Sequence, residues 1–472
     1  MTDQPSMLGL ENKRVLVLGL GGRGRAACEL LVRLGAKPTA ADSADNPELR
    51  RTADGLRSAG IEVTLGASEA PSSDFDFAVI SPAVASNSHL AQSVLDRGLS
   101  LISELELAFQ QAKCLSIAIA GTNGKGTTAE LLGSAFTASG RKTVICGHRA
   151  RPACSVADQT KDLDFLILQV NAFQLERTQF FRPAVGVLLN LAPDHLDRYT
   201  TANDYTRANG RLFQNQQTFD WAIVQSQALE RLRELSLPVP ARTITISATD
   251  NAADLHMDRG LLLSRLPNWE GPLLDMDHCR LRGPHNAENL LAALAVGHVS
   301  RLPLEAMVEP LKAYSAGPHR FERVAEISGV EYINDSKATN VDALQKALSA
   351  ARSGEGGQPN VWLIAGGRDK GLEFHDVGPL LAKRVKRVFL IGEAKEKIRS
   401  AWSLFVQCDL CESLTEAVDE AAKQAVSGDV VLLSPACSSF DQFRDYRERG
   451  ETFCRAVNKH INQPNDSTRP SQ

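Results

Sequence analysis

Short apolar runs alternate with amphipathic segments of helical length along most of the chain. Val, Ile and Leu dominate the runs at residues 14–19, 115–119 and 361–365. Strands that are buried on both faces of a parallel sheet have such continuous apolar runs, and the segments between them have the period of helices that cover a sheet. The pattern therefore predicts an α/β fold built on parallel sheets.

The apolar runs fall into three sets, which predicts three domains. The first set lies within residues 14–80, the second within 115–224 and the third within 330–433. A stretch with Gly and Pro at residues 314–318 interrupts both the helical and the strand pattern of apolar residues. It predicts a linker between the last two sets. The predicted domains are residues 1–110, 111–317 and 318–461, and a polar tail at 462–472 is predicted to be disordered.

A glycine turn with a lysine follows the apolar run at residues 115–119 and opens a helical pattern. Backbone N–H groups of such a turn surround an anion, the helix N-terminus adds its positive dipole end, and Lys125 can reach terminal phosphates. Gly126 stands where the standard pattern has a Ser or Thr that holds Mg²⁺, and Thr127 follows one residue later. The turn predicts a P-loop ATPase-like central domain, and an ordinary strand-to-helix turn is the alternative. The candidate residues are Gly121, Thr122, Asn123, Gly124, Lys125, Gly126 and Thr127.

A second glycine turn, at residues 19–24, has the spacing of a dinucleotide-binding fingerprint and lies between a strand pattern and a helix pattern. Asp42 follows at the end of the next short strand, where a ribose-binding acid is expected. The turn predicts a Rossmann-like first domain that binds the diphosphate of a nucleotide. A structural turn is the alternative, and an NAD-dependent enzyme would leave the other motifs unexplained.

Polar segments also follow predicted strands in the second and third sets. Asp194, His195 and Asp197 come after an apolar run, and His195 could bind a metal or orient a phosphate, although a surface turn is the alternative. In the third set, which we predict to be Rossmann-like, polar loops at residues 318–322, 334–340, 366–371 and 434–441 are expected at one sheet edge. Such an edge predicts a site for carboxylates or phosphates, with 366–371 as a loop shaped by its glycines.

Composition excludes several classes of protein. The net charge of −4 with interspersed signs argues against a nucleic-acid partner. No apolar run reaches the ~20 residues that span a bilayer, and the first residues lack signal-peptide character, so a cytoplasmic protein without membrane contact is expected. Nine scattered cysteines, including an isolated CxxC pair at residues 408–411, predict neither a disulfide framework nor a zinc site.

Several of these segments together resemble the Mur ligase family, and most closely its D-glutamate-adding branch. The segments are residues 283–289, 318–322, 334–340, 433–440 and 446–450. The resemblance implies an ATP-dependent ligase that adds D-glutamate to UDP-N-acetylmuramoyl-L-alanine through an acyl phosphate in peptidoglycan synthesis, and hence a role in cell shape and division. ATP and Mg²⁺ are the implied cofactors. The oligomeric state is open, with a monomer expected.

The resemblance also implies roles for individual residues. The glycine turn that contains Lys125 would hold the phosphates of ATP, and His195 would be a metal ligand, with Thr127 as a further candidate. Contacts to the rest of ATP would come from Asn286, Arg320 and Asp335. The nucleotide precursor would bind the first domain and its neighbourhood through Gly21, Arg23, Ser81, Pro82 and His148, and the amino acid would bind Lys337, Thr339, Ser434 and Phe440.

The chain departs from the family pattern at four positions of the central domain. Gln169 stands where the family has a metal-binding carboxylate, Asn209 replaces a lysine that becomes carbamylated, and His148 replaces an Asn. Gly126 removes a hydroxyl. Two hypotheses follow: an active ligase with an altered metal site, or a catalytically degenerate homologue that binds nucleotide or precursor as a regulatory or scaffold protein.

Overall fold

The computed structural model of the protein describes residues 9–148 and 150–461. Within these residues the chain forms two compact units and three sheets. The first unit comprises described residues up to 191 together with 203–280 and 284–314, and the second comprises 192–202, 281–283 and 315–461. The tail at 462–472 lies outside the described residues.

The first sheet belongs to the first unit and has five parallel strands in the order β3-β2-β1-β4-β5. This order is that of a Rossmann-like sheet, whose strand order reverses beside its first strand. The strands are β1 (Arg14–Leu18), β2 (Lys37–Asp42), β3 (Glu62–Leu65), β4 (Phe77–Ile80) and β5 (Leu101–Ser103), and the helices are α1 (Gly22–Arg33), α2 (Pro47–Ser58), α3 (His89–Asp96) and α4 (Glu104–Gln111).

The second sheet, in the same unit, has nine strands in the order β14-β13-β12-β11-β10-β9-β6-β8-β7. It is parallel from β7 to β12, and β13 and β14 add an antiparallel extension. Its strands are β6 (Leu115–Ala120), β7 (Thr143–Cys146), β8 (Phe165–Gln169), β9 (Val185–Leu188), β10 (Trp221–Gln225), β11 (Arg242–Ser247), β12 (Leu255–Asp258), β13 (Leu261–Ser264) and β14 (Gly271–Asp275). Its helices are α5 (Lys125–Ala138), α6 (Ala172–Leu175), α7 (Ala202–Gly210), α8 (Ser226–Glu234), α9 (Pro284–Val299) and α10 (Leu304–Ala313).

One apolar cluster extends through the regions of both of these sheets. Beside it, the Glu106 carboxylate accepts hydrogen bonds from the backbone N–H groups of Gln179, Phe180 and Phe181 at 2.9–3.1 Å. A buried carboxylate that receives three donors is well satisfied. The first and second sheet regions therefore share both a core and a polar anchor.

The third sheet forms the second unit and has six strands in the order β15-β16-β20-β17-β18-β19. The edge strand β15 is antiparallel to β16, and the remaining pairs are parallel. Separate apolar clusters form its core. The strands are β15 (Glu322–Ile327), β16 (Val330–Asn334), β17 (Val361–Gly366), β18 (Val385–Ile391), β19 (Cys408–Leu410) and β20 (Val430–Leu433), and the helices are α11 (Val341–Ala350), α12 (Gly378–Arg384), α13 (Lys395–Trp402), α14 (Leu414–Gln424) and α15 (Tyr446–Ile461).

Polar residues in front of several helices explain where these helices begin. The side chains of Asn46, Ser103, Asn340 and Ser413 each accept a hydrogen bond from an N–H group of the first helical turn. Such N-caps satisfy donors that have no partner inside the helix. The N-cap of α11, Asn340, is the last residue of the polar loop after β16 and fixes the point at which this loop enters the helix.

The structure confirms the α/β fold with three sheets. The apolar runs at 14–19, 115–119, 330–333 and 361–365 correspond to β1, β6, β16 and β17. The border between the two units falls between Tyr314 and Ser315, inside the expected linker, whereas the domain boundaries 1–110, 111–317 and 318–461 stay a prediction. Within the described part of the chain, no helix is long and apolar enough to cross a bilayer.

Candidate functional site

The lysine-bearing glycine turn connects β6 to α5 in the first unit, as the sequence predicts. Asn190, which follows β9, holds this turn from the side. Its backbone carbonyl accepts from Thr122 N at 3.0 Å, its side-chain oxygen accepts from Asn123 N at 2.8 Å, and its side-chain nitrogen donates to Asn123 O at 3.0 Å. The turn is therefore shaped by hydrogen bonds between its main chain and the backbone and side chain of Asn190.

Lys125 begins α5, and its ammonium folds back over the turn. Nζ donates to the carbonyl oxygens of Gly121 and Thr122, the latter at 3.0 Å. Gly124 precedes the helix in the left-handed region, with φ of 92°, where a side chain is unfavourable. A helix N-terminus, a lysine and a turn rich in N–H groups together form an anion-binding arrangement.

Helix α9 packs its first turn against this glycine turn. A Cβ added to Gly124 would lie 2.3 Å from Asn289 Oδ1, which also accepts from Thr128 Oγ1 at 3.2 Å. The amide of Asn289 donates to Asn286 Oδ1 at 3.1 Å. The structure thus brings Asn286 of the family-like segment next to the phosphate turn within the same unit.

The described residues do not include a cluster of side chains that could serve as ligands for Mg²⁺. No group of three or more His, Cys, Asp or Glu side chains that could hold a metal occurs in residues 9–148 and 150–461. Asn209 is fully buried on α7, where its Nδ2 donates to Tyr205 O at 2.9 Å and its Oδ1 has no hydrogen-bond partner. Gln169 ends β8 and is likewise a neutral amide. Because Mg²⁺ favours carboxylate oxygens, this set of residues does not fit a protein-held magnesium ion.

The Rossmann-like turn of the first sheet is held by Asp42. Its two carboxylate oxygens accept from Leu20 N at 2.7 Å and Ala44 N at 2.9 Å. The acid that the sequence suggested for a ribose therefore supports the backbone of the turn itself. Ser81 directly follows the neighbouring strand β4 and is buried next to Gly19.

Arg23 of this turn reaches the turn that contains His148. Its guanidinium donates to Gly147 O at 3.0 Å, and Gln174 Nε2 donates to the same carbonyl at 3.3 Å. His148 forms a short backbone bridge with Arg151. Two of the predicted precursor-binding positions, Arg23 and His148, are thus neighbours within the first unit.

A buried carboxyl group lies under this region. Glu104, the first residue of α4, is fully buried and accepts from Cys154 N at 2.9 Å. Burial raises the pKa of Glu104, although hydrogen bonds and the charge of Arg23 act in the opposite direction. The sequence analysis did not predict this buried group.

In the second unit, the polar loops lie at one edge of the third sheet. The loops after β16, β17 and β20 leave the carboxyl ends of parallel strands, and β15 begins opposite the end of β16 because the two are antiparallel. The four predicted segments therefore share one edge, as expected. Ligand sites of α/β sheets occur at this kind of edge.

Asp335 occupies the centre of this edge. Its Oδ1 accepts from Phe321 N at 3.0 Å, and its Oδ2 accepts from Ser434 Oγ at 3.1 Å. Burial raises the pKa of Asp335 to about 7, despite these hydrogen bonds and the charges of Arg320 and Arg449. The structure thus joins Asp335, Ser434 and the neighbourhood of Arg320, three of the predicted positions.

The other predicted amino-acid-binding residues lie on the same loops. Lys337 is exposed, and its ammonium lies 4.0 Å from the centroid of the Tyr446 ring. Phe440 is 56% exposed, which is high for a large apolar side chain. Thr339 lies between Lys337 and the N-cap of α11. These side chains line an accessible stretch of the sheet edge.

Asp194 forms a buried ion pair that the sequence did not predict. Lys370 Nζ lies 3.2 Å from Asp194 Oδ1, and Asn340 Nδ2 donates to Asp194 Oδ2 at 3.1 Å. Burial opposes ionisation of Asp194, but the charges of Lys370 and His195 keep the pKa of Asp194 below its usual value. The loop at 366–371 thus contributes a buried cation, in addition to its expected role as a glycine-shaped turn.

His195 lies beside this pair in an unusual backbone conformation. Its Nε2 is 3.8 Å from Asp194 Oδ2, and its φ is 57°. His319, Phe321 and Ala436, all in the polar loops of the same unit, also have φ between 51° and 66°. Non-glycine residues in this region are strained, and such strain persists where surrounding contacts fix the backbone, often at functional sites.

Sequence reasoning missed three side chains of these sites. Asn190 directly follows the apolar run that precedes Asp194. Lys370 lies between glycines in the polar loop at residues 366–371. Arg449 stands in the segment 446–450, but nothing local indicates that it is buried. Their partners are distant in sequence, so only the fold identifies their contacts.

Comparison with known proteins supplies the family. Residues 119–297 match the Mur ligase middle domain, and residues 319–437 match the glutamate ligase domain of Mur ligases. A protein from Koribacter versatilis named "UDP-N-acetylmuramoylalanine--D-glutamate ligase" is 38% identical over 97% of this chain and 99% of its own. A protein with the same name from Caldanaerobacter subterraneus is 35% identical over 95% and 98% of the two chains.

Solved structures show the same fold at low sequence identity. The UDP-N-acetylmuramate-alanine ligase MurC from Thermotoga maritima has a TM-score of 0.59 at 16% identity, covering 95% of this chain and all of that one. The MurF ligase from the same organism, solved in complex with ADP, has a TM-score of 0.60 at 16% identity, covering 97% of this chain and all of that one. With near-complete coverage by relatives above 30% identity, the chain belongs to the Mur ligase family.

Proposed function

We propose that this protein is an ATP-dependent ligase that joins D-glutamate to UDP-N-acetylmuramoyl-L-alanine in peptidoglycan synthesis. The observation that carries the proposal is the match to D-glutamate ligases over nearly the full length of both chains. The phosphate turn of the first unit and the polar sheet edge of the second unit support it. A role in cell shape and cell division follows from peptidoglycan synthesis.

The proposed chemistry has two steps. A carboxylate oxygen of the alanyl substrate attacks the γ-phosphorus of ATP, the bond to the β-phosphate oxygen breaks, and ADP leaves. The amine of D-glutamate then attacks the acyl carbon, the carbon–oxygen bond to phosphate breaks, and the amine loses a proton to solvent. Positioning and charge neutralisation are the means by which a protein accelerates such transfers.

In the first unit, we assign the phosphates of ATP to the turn that begins at Gly121 and ends at Lys125. Its main chain is held by Asn190, and the turn leads directly into the N-terminus of α5, where an anion is favoured. Asn286 is adjacent and is assigned to the remainder of the nucleotide. Lys125 would exchange its carbonyl partners for phosphate oxygens. The precursor is assigned to Gly21, Arg23, Ser81, Pro82 and His148.

In the second unit, we assign D-glutamate to Lys337, Thr339, Ser434 and Phe440. A cation and a hydroxyl on two neighbouring loops suit the carboxylates of a dicarboxylic amino acid. Arg320 and Asp335 are assigned to ATP. Lys370 is a further candidate, because its charge is buried at the same edge.

Magnesium is retained as a proposed cofactor in the form of its complex with ATP. The neutral side chains of Gln169 and Asn209 and the glycine at 126 do not fit a dedicated metal site, so no step is assigned to a protein-held ion. His195, with Thr127 as a second candidate, stays the predicted side-chain contact of this magnesium–ATP complex. A cytoplasmic location and a monomeric state also stay predictions.

The test is a phosphate-release assay with ATP, Mg²⁺, UDP-N-acetylmuramoyl-L-alanine and D-glutamate. We expect ADP and phosphate only when all components are present, and mass spectrometry should detect the product with one added glutamyl group. L-glutamate serves as the matched control for the amino acid. Omission of each component separates ligase turnover from background ATP hydrolysis.

A specific result would favour the second candidate, a catalytically degenerate homologue. The changes at Gly126, Gln169 and Asn209 are the observation behind that candidate, although the named relatives are ligases. Binding of ATP or precursor by calorimetry without any phosphate release would contradict the ligase proposal. Turnover at any rate that depends on D-glutamate would contradict the alternative.

A further inference from the structure

Arg449 is an arginine buried without a carboxylate partner in the second unit. It lies in the first turn of α15, and its side chain is fully buried. No Asp or Glu oxygen of the described chain lies within 4.0 Å of its guanidinium. Burial lowers the pKa of Arg449 to about 10, even though the nearby Cys437, Asp441 and Asp335 groups act in the opposite direction. A buried charge is costly unless all its donors are satisfied.

Neutral acceptors from two different loops satisfy this guanidinium. Nε donates to Ser336 Oγ at 3.1 Å, and Nη2 donates to Ser336 O at 2.9 Å. Nη1 and Nη2 both donate to Cys437 O at 3.1 Å, and Nη1 also donates to Ser438 O at 3.3 Å. The five hydrogen bonds equal the five N–H donors of an arginine in number.

These acceptors belong to the loops that carry the proposed amino-acid-binding residues. Ser336 directly precedes Lys337 in the loop after β16, and Cys437 and Ser438 lie between Ser434 and Phe440 in the loop after β20. Arg449 therefore connects the two loops through the interior of the unit. The Arg449 side chain is not itself exposed at the sheet edge.

A third loop packs against the same connection. Gly367, after β17, has a φ of 134°, and a Cβ there would lie 2.3 Å from Ser438 O and 3.1 Å from Arg449 Nη1. Arg368 exchanges backbone hydrogen bonds with Ser438 at 2.9 and 3.2 Å. Ala436, in the strained left-handed region with φ of 58°, lies beside these contacts. The arginine thus holds loops whose backbone is not in its preferred conformation.

We propose that Arg449 is the positioning residue that sets the distance between the Lys337 loop and the Ser434–Phe440 loop, and hence the fit of the amino-acid substrate. The assignment of that substrate rests on the proposed function, whereas the connection of the loops does not. A lysine cannot replace the arginine fully, because a single ammonium lacks the planar fork that reaches both loops. The guanidinium would act through the loops without touching the substrate.

The test compares Arg449→Lys and Ser336→Ala with Arg384→Lys as the matched control. Arg384 also binds loop carbonyls, those of Ala351 and Arg352, and the Ser353 hydroxyl, but it lies near the amino end of β17. For Arg449→Lys we expect KM for D-glutamate to rise by about 10- to 100-fold, with KM for the nucleotide precursor unchanged. Ser336→Ala should produce a smaller change in the same direction, and Arg384→Lys should leave both constants unchanged.

Hydrogen exchange tests the connection independently of turnover. In Arg449→Lys we expect faster amide exchange within residues 335–340 and 434–440, while exchange in β17 and β18 stays at the wild-type rate. Unchanged exchange in both loops would overturn the proposal, as would equal rises of KM for D-glutamate and precursor. A wild-type protein without turnover would refute the proposed function, and the exchange result would still decide the role of Arg449.

Discussion

The phosphate turn of the first unit is held by a neutral residue, Asn190, whereas the sheet edge of the second unit is held by charged side chains. Asn190 fixes the turn through the backbone of Thr122 and Asn123. At the sheet edge, Arg449 and the Asp194–Lys370 pair are buried and fix the loops with side chains. The two regions therefore respond differently to substitution.

The four positions at which the sequence departs from its family pattern all lie in the first unit. Gly126 lies in the first turn of α5, Gln169 ends β8 and Asn209 lies in α7. None of them contributes to the hydrogen bonds by which Asn190 holds the phosphate turn. A buried charge, by contrast, cannot lose its partner without a large free-energy cost. In the second unit, the family-like segment 446–450 contains the buried Arg449.

The largest effect on activity is expected from removal of the Lys125 ammonium at the phosphate turn. Lys125→Ala should lower the rate of phosphate release by about 10³-fold, because it removes a donor for developing phosphoryl charge. The exposed Lys142 of the same domain, mutated to alanine, is the control. A loss below about tenfold would mean that the backbone of the turn alone supports catalysis, which would sharpen the contrast between the regions.

The next effect concerns the buried pair of the second unit. Lys370→Met leaves Asp194 buried without its cation and should lower the free energy of unfolding by about 3 kcal/mol. The pKa of Asp194 is lowered, so its stabilising contribution is present above the unfolded pKa and is lost as pH falls through the folded pKa. Urea-dependent hydrogen exchange of residues 315–461 measures the loss. The exposed Lys423, paired with Glu420, is the control, and its replacement by Met should change nothing measurable.

A smaller effect is expected from the pH dependence of Asp335. Its pKa is raised to about 7, so the folded unit binds more protons than the unfolded chain between the unfolded value near 4 and pH 7. Wild-type stability relative to Asp335→Asn should therefore fall as pH rises through this window and level off above it. Thermal midpoints of both proteins at pH 5, 6, 7 and 8 measure the difference. A constant difference would show that Asp335 is ionised throughout.

The smallest effect concerns bicarbonate, to which we expect wild-type turnover not to respond. Asn209 is an amide and cannot form a carbamate, so wild-type turnover should be the same with and without added bicarbonate. Introducing both Asn209→Lys and Gln169→Glu should make turnover respond to bicarbonate, because an amine and a carboxylate are then present. A response of the wild-type protein would identify a different carbamylated lysine, detectable by mass spectrometry.

Much of the fold could be predicted from local patterns, and less of the site. Buried parallel strands such as β6 and β17 consist of nearly uninterrupted apolar residues, so the sequence alone indicates them. Strand β12 and the antiparallel extension formed by β13 and β14 are short and partly exposed, and the prediction did not include them. The glycine turns were predictable because their chemistry is contiguous in the sequence.

Contacts between distant segments could not be predicted in this way. Arg449 and Ser336 are 113 positions apart, and Lys370 and Asp194 are 176 positions apart. No periodicity or spacing relates such residues, since their proximity depends on the strand order of the third sheet and on loop paths. Asp42 makes a contact of the same kind, because its carboxylate accepts from Leu20 N of the glycine turn, 22 positions away.

The anchor at Glu106 has a practical consequence for truncated versions of the protein. A fragment that ends near residue 112 would retain Glu106 but lose the three N–H donors at residues 179–181 and much of the shared apolar cluster. Such a fragment should accumulate in inclusion bodies, because it exposes apolar surface and a carboxylate without its donors. A fragment of residues 315–461 has its own apolar clusters but lacks Asp194, so separate crystallisation or isotope labelling of this unit also requires residues 192–202, which keep the partner of Lys370.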